Sequence, residues 1–288
     1  MVFLNGKFLP IEQATVPVLD RGFIFGDGVY ELVPVYSRVP FRLDEHLRRL
    51  ERSLAAVRIR NPYSTAQWKE IIARLIAEQA FEDQGIYFQV TRGVAKRDHA
   101  FPKDVAPTVF IMSNPLVNPP RELVESGASA LSAVDNRWLR CDIKSISLIG
   151  NCLLRQISAD SGAAETIMFR DGRLTEASAS NVFIVKGGVI RSPAKSNLIL
   201  PGITYDVVAE LAFSAGIPLE FGDVTEAEVR AADELWITSS SKEVLAIVQL
   251  DGQPIGDGKP GAVFRRMYQL YQEFKQRVMR AGKQAVAA

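Results

Sequence analysis

Leu43, Leu47, Leu50, Leu54 and Val57 recur at three- and four-residue intervals, as do Trp68, Ile71, Ile72, Leu75 and Ile76, so each run predicts an amphipathic helix. Residues 86–91 and 108–112 are short, apolar and rich in β-branched and aromatic side chains, which predicts strands. Further strands are expected near 128–134, 164–169 and 180–185, the last followed by a Gly187-Gly188 turn. A helix from about 204 to 215 stops at Gly216, a residue suited to the left-handed conformation that ends helices. Thr225-Glu226-Ala227-Glu228 is a capping box opening a short helix. A strand at 234–238 then runs into the polar turn Ser239-Ser240-Ser241, and residues from 263 to about 279 read as an amphipathic surface helix. The tract from Asn114-Pro115 to Pro119-Pro120 breaks both patterns and is the best linker. The pattern predicts an α+β chain with an N-terminal domain over 1–117, a linker over 118–125 and a C-terminal domain over 126–288.

Composition narrows the function. With 288 residues and 47% hydrophobic content the chain can fill two cores. Net charge is +1 with acids and bases interspersed, which argues against nucleic acid or a membrane surface as partner. Two cysteines, Cys141 and Cys152, are too few for a disulfide framework and suit a reducing compartment. His46 and His99 lie far from each other and from both cysteines, so no metal site is expected. No charged leader precedes an apolar segment, and no run of ~18 apolar residues occurs, so a cytoplasmic protein is the expectation.

A few residues are placed where chemistry needs them. Lys144 ends the run Arg137-Trp138-Leu139-Arg140-Cys141-Asp142-Ile143 and is followed by Ile146, Leu148 and Ile149. A partly desolvated lysine sheds its proton more readily, which a Schiff-base nucleophile requires; a surface lysine with a buried stem is the alternative. Gly26-Asp27-Gly28 has Glu31 where a dinucleotide fingerprint needs its third glycine, so it reads as a tight turn. Gly202-Ile203-Thr204 opens a helix whose free N–H groups could take an anion, with hydroxyls of the 239–241 turn as helpers. Glu176 follows the Asp171-Gly172 turn and is either a solvated acid or the partner of a pyridinium nitrogen. Arg97-Asp98-His99 is either a solvated loop or two cations around a carboxylate. Arg49 falls off the leucine stripe on a helical wheel, which places it in solvent.

Taken together, the segments 21–31 (Arg-Gly-Phe-Ile-Phe-Gly-Asp-Gly-Val-Tyr-Glu), 86–93 and 137–150 resemble the D-amino-acid aminotransferase branch of the fold-type IV pyridoxal-phosphate enzymes. The resemblance spans most of the chain. It implies a small N-terminal α/β domain, a larger barrel-like C-terminal domain that binds pyridoxal 5′-phosphate, and a homodimer. Lys144 would form the Schiff base and shuttle the proton, and Glu176 would keep the pyridine nitrogen protonated. Arg49, Ile203, Thr204 and Ser240 would hold the phosphate, with Leu200 against the ring. For Arg49 this overrides the wheel. Tyr30, Arg97 and His99 would trap the substrate carboxylate. The implied reaction is ping-pong transfer from a D-amino acid to a 2-oxo acid such as 2-oxoglutarate.

Three departures from the family pattern bear on substrate and rate. Asp98 stands between the trap residues, where it could pair with Arg97 and weaken binding of dicarboxylates. Pro34 interrupts a strand, which predicts an edge or a bulge near Tyr30. Ala177 and Ala179 stand where glycine and serine are usual. The alternatives on this fold are an (R)-amine transaminase, a branched-chain aminotransferase and a lyase; a silent cofactor binder is the rival from another class.

Overall fold

A computed structural model describes residues 1–281, which form two compact units. The first holds Met1–Val117, Ile143–Leu148 and the described residues from Met279; the second holds Asn118–Asp142 and Ile149–Val278. The contiguous ranges expected from the sequence do not include these two returns.

The first unit contains β1 (Val2–Leu4), β2 (Lys7–Leu9), α1 (Arg21–Phe25), β3 (Gly28–Tyr36), β4 (Val39–Pro40), α2 (Leu43–Ala56), α3 (Thr65–Ala77), β5 (Gln84–Thr91) and β6 (Thr108–Pro115). Its sheet is antiparallel in the order β2-β1-β6-β5-β3-β4. Both predicted helices form, and Ser64 with Gln67 makes the capping box that starts α3. Leu47, Leu50 and Leu54 of α2 and Trp68, Ile72 and Leu75 of α3 share one core with Val29, Val33, Ile86 and Phe88. Each such burial is worth about 1.5–3 kcal/mol. The period of two in β3 puts Glu31 between Val29 and Val33 on the helix-facing side, where it is fully buried.

Pro34 lies opposite Gly85 in unbroken register, so there is no bulge. β3 is nonetheless close to an edge: β4 pairs only with Val35 and Tyr36. At its other end the open edge is taken by the returning segment. Tyr30 N–H donates to the Lys144 carbonyl (2.9 Å), Ile146 N–H donates to the Gly28 carbonyl (3.1 Å), and Ser145 bridges to Val29. The proline tract is not one linker. Asn114 and Pro115 end β6 opposite Gly85 and Gln84, a position where a missing N–H costs little, and residues 121–126 are helical.

The second unit contains α4 (Arg121–Ser126), β7 (Ala128–Val134), α5 (Ile149–Asp160), β8 (Glu165–Arg170), β9 (Arg173–Ala177), β10 (Asn181–Lys186), β11 (Val189–Ser192), α6 (Ile203–Ser214), β12 (Leu219–Phe221), α7 (Glu226–Arg230), β13 (Glu234–Ser239), β14 (Glu243–Leu250), β15 (Gln253–Pro254) and α8 (Ala262–Phe274). Its strands follow the order β12-β11-β10-β13-β14-β7-β8-β9, with β15 on β14. β7 is parallel to both its neighbours. The sheet curls back on itself, because Ala177 N–H at the end of β9 bonds the Ser180 carbonyl just before β10. This is the half-barrel expected of the larger domain. Ile167, Val182, Ile184, Leu235, Ile237 and Leu245 fill its core. α6 stops at Gly216 (φ 65°), and Thr225 caps α7 as the motif predicts. α8 buries Phe264, Met267 and Tyr271 and continues as one π-helical turn, Lys275–Met279.

Gly93 lies two residues past the end of β5 at φ 98°, and a Cβ there would lie 2.0 Å from the Ala106 carbonyl oxygen. Gly93→Ala should cost roughly 2–3 kcal/mol, read as a lower urea midpoint with an unchanged slope.

Candidate active site

In the first unit the returning segment sets the position of Lys144. Its carbonyl is held by Tyr30 N–H, and its own N–H donates to Ser53 Oγ on α2 (3.3 Å). The side chain lies over the Tyr30 ring, with Nζ 4.3 Å from the centroid, a cation–π distance. Tyr30 in turn packs on Tyr87, whose hydroxyl donates to Gln89 Oε1 (2.7 Å).

Arg49 is 4% exposed, so the wheel placed it wrongly. His46, Arg49 and Ser53 form a second, polar stripe on α2, buried beside the leucine stripe. The reason is Glu31: Arg49 donates through Nε (2.7 Å) and Nη2 (2.8 Å) to its two oxygens, and His46 Nδ1 lies 2.8 Å from Oε2. Burial pushes Glu31 up, but Arg49 and His46 outweigh it and hold the carboxyl at about 2. Burial also lowers the His46 pKa, so the ring is neutral at pH 7. An ionised carboxylate can only accept, so Nδ1 carries the proton. Nε2 is then a buried acceptor without a partner among the described residues.

Arg97, Asp98 and His99 are all exposed. The Arg97 guanidinium carbon lies 5.4 Å from the centre of the Phe25 ring, and the His99 ring lies 5.6 Å from it, so one aromatic platform orders both. Arg21 fixes the loop from beneath by donating to the carbonyls of Asp98 and Ala100, and is itself paired with Asp27, which also holds Arg92. The Asp98 carboxylate accepts from Ala100 N–H (3.1 Å), within its own loop.

In the second unit Glu176 is 5% exposed and is no turn acid in solvent. Arg137 spends Nε (2.9 Å) and Nη2 (3.0 Å) on Asp135 and has Nη1 left for Glu176 Oε1 (2.7 Å). Glu176 Oε2 accepts from Leu200 N–H (2.9 Å), with Asn181 Nδ2 at 3.5 Å. These donors do not offset its burial, and the carboxyl is pushed up to about 7. Such a group is suited to a ligand that brings its own N–H cation. Asn181 Nδ2 also holds the Leu200 carbonyl (2.9 Å), tying Glu176 to the turn that opens α6. At that turn Gly202 is the N-cap, and a Cβ there would meet Asn181 Oδ1 at 2.1 Å. Ile203 and Thr204 are buried in the first turn of α6, where free N–H groups favour an anion. Opposite Asn181, Thr238 keeps a buried hydroxyl without a partner among the described residues. Ser240 is half-buried in the turn after β13.

Several residues that contact the predicted site residues or the loops beside them escaped the sequence reading. Glu31 and Glu165 could have been noticed, since each is an acid inside an apolar strand pattern. Arg137, Asn181 and Ser53 carry no such signal. Cys141 is buried, its thiol pushed up to about 11 by burial, while Cys152 is exposed; both are free. Among the described residues there is no group of three metal-ligating side chains and no helix long and apolar enough to cross a membrane.

Residues 28–250 match the amino-transferase class IV family. The chain is 40% identical over 266 residues to a D-alanine aminotransferase of Bacillus licheniformis, covering 92% of this chain and 94% of that one. It is 40% identical over 291 residues to a D-alanine aminotransferase of Listeria monocytogenes, covering 100% and 99%. Among solved structures it is similar to a branched-chain amino acid aminotransferase of Escherichia coli, with a TM-score of 0.86, 25% identity and 93% and 92% of the two chains covered. A branched-chain aminotransferase of Thermoproteus uzoniensis with norvaline gives a TM-score of 0.87 at 25% identity, covering 99% and 96%.

The folded chain holds the Glu176 proton more tightly than the unfolded one, so without cofactor this group contributes stability below about pH 4.5 that is lost as pH rises through about 7. The urea midpoint of the cofactor-free protein minus that of Glu176→Gln should therefore fall between pH 5 and 8; a flat difference contradicts the assignment.

Proposed function

The chain belongs to the class IV aminotransferases, and on that footing we propose that it moves the amino group of a D-amino acid such as D-alanine to a 2-oxo acid, with pyridoxal 5′-phosphate as cofactor. The observation that carries the substrate is the 40% identity, over nearly the whole chain, to enzymes named for D-alanine. What supports the cofactor in the chain itself is Glu176, a buried carboxyl short of positive charge, beside a glycine-capped helix start.

When bound, pyridoxal phosphate supplies an aldehyde that condenses with amines and a protonated ring that accepts the electrons left on Cα. Lys144 Nζ is the amine that holds this group between turnovers and then takes the proton from substrate Cα. Its main chain is pinned at both N–H and C=O, so only the side chain is left to swing. Glu176 accepts from the ring N–H, and Arg137 with Leu200 N–H keeps its carboxylate oriented. Ile203 and Thr204 offer backbone amides to the phosphate, and Ser240 offers a hydroxyl. Arg49 helps hold the phosphate, with Glu31 fixing the plane of its guanidinium. Tyr30, Arg97 and His99 receive the substrate carboxylate. The amino donor leaves as a 2-oxo acid, and a second 2-oxo acid leaves as the new amino acid.

The protein is also proposed to work as a homodimer. α5 exposes Ile149 (74%), Leu153 (64%) and Ile157 (41%) at four-residue spacing, an apolar stripe on one face of a helix. Its free thiols suit a reducing compartment, and the cytoplasm is the proposed location.

Mixing the cofactor-loaded protein with D-alanine and no acceptor should abolish the visible absorbance of the lysine-linked cofactor within one turnover, while L-alanine should not. Lys144→Ala should lower turnover by at least about 10³-fold, as expected when a proton carrier and covalent link are both lost. Loss of the band with L-alanine alone would move the chain to the branched-chain side, and response only to (R)-1-phenylethylamine would make it an amine transaminase. Leu153→Glu should shift the sedimentation coefficient from dimer to monomer; an unchanged value would place the interface elsewhere.

A further inference from the structure

Glu165 opens β8 at a point where the alternation calls for an apolar residue, and it is fully buried. A buried carboxylate survives only if it is paired and hydrogen-bonded, and this one is heavily so. Oε1 accepts from Lys242 Nζ (2.8 Å), Ser180 Oγ (2.8 Å) and Ala179 N–H (3.2 Å). Oε2 accepts from Ser178 Oγ and from its neighbour Thr166 N–H (3.1 Å). Two separate loops therefore converge on one side chain. Residues 178–180 join the end of β9, which carries Glu176, to β10, which begins with Asn181. Lys242 belongs to the turn between β13 and β14 that carries Ser240, and its N–H closes that turn onto Ser239 Oγ (3.0 Å). The far side of the same turn is fixed by Glu243, which is buried at φ 56° and paired with Lys275 (2.5 Å) and Gln272 (2.7 Å).

We propose that Glu165 is a positioning residue that ties the ring-nitrogen side of the cofactor site, through Ser178–Ser180, to the phosphate-binding turn, through Lys242. The inference rests on the cofactor reading above and adds a coupling to it. One carboxylate sets the spacing between the Glu176 loop and the Ser240 turn, so loosening it disturbs both, whereas cutting the Lys242 arm disturbs only the phosphate side.

The test compares the full chain, stripped of cofactor, with its Glu165→Gln, Lys242→Met and Lys242→Arg variants, titrated with pyridoxal phosphate and with pyridoxal, which lacks the phosphate. Lys242→Met should weaken pyridoxal phosphate on the order of tenfold, as for loss of a charged hydrogen bond, and leave pyridoxal unchanged. Lys242→Arg should restore most of that loss. Glu165→Gln should weaken both compounds and shift the pH dependence of the bound cofactor's absorbance, which a general loss of stability would not do. If Glu165→Gln leaves pyridoxal phosphate binding intact while Lys242→Met weakens it, Lys242 is itself a phosphate partner and the proposal falls. It falls equally if Lys242→Met, folded by its melting temperature, weakens both compounds alike. Should Glu165→Gln not fold, Ser178→Ala cuts the other arm and should weaken pyridoxal; no change there overturns the coupling. Uptake of neither compound by the unaltered chain would sink the cofactor reading, an outcome visible before any variant is made.

Discussion

Two main-chain hydrogen bonds on the edge of β3 govern where Lys144 stands. A strand edge left open exposes N–H and C=O groups that must find partners. Here the six residues Ile143–Leu148 supply them, although the chain on either side belongs to the other compact unit. Ile143 is drawn into the core of the first unit, and Ile146 lies against Gly28, where a Cβ would meet its side chain at 2.9 Å. Small glycine and apolar isoleucine thus anchor the segment, and the lysine between them is set over Tyr30.

Three of the buried carboxylates are each matched by a cation. Glu31 is matched by Arg49 and His46, Glu165 by Lys242 and two serines, and Glu243 by Lys275. For Glu31 and Glu243, removing the cation would leave an uncompensated buried carboxylate, at a cost of about 3–5 kcal/mol, whereas Glu165 would keep Ser178, Ser180 and two backbone N–H donors. Glu176 is matched less closely. Arg137 gives most of its guanidinium to Asp135, and Asp135 itself repels a second negative charge nearby. Stability alone would favour a closer match, and the imbalance fits the ring-nitrogen role proposed for Glu176.

What could be read from residues alone was what depends on near neighbours. The spacing of Leu43, Leu47, Leu50 and Leu54 found α2, and Thr225 with Glu228 found the start of α7. Pro34 signalled a strand near an edge but also suggested a bulge that the register through Gly85 excludes. The helical wheel of α2 failed at Arg49, because a wheel shows one apolar stripe and cannot show that Glu31 arrives from β3 to bury a second. Long-range pairs were illegible for the same reason: Arg137 meets Glu176 across 39 positions and Lys242 meets Glu165 across 77. Glu176 was noticed for its turn, but its burial, and so its chemistry, depends on Asn181 and Leu200 folding over it.

The edge pairing of Ile143–Leu148 also decides which kinds of sequence change this region can absorb. Side chains along an extended segment alternate between faces, so inserting or deleting one residue here would turn Lys144 away from Tyr30 and bring a neighbour in its place. Substitutions that keep the backbone hydrogen bonds leave that geometry alone. Between the two anchoring isoleucines, Ile143 and Ile146, the guarded quantity is therefore length more than identity, and drift in this stretch should run through replacements and spare the count.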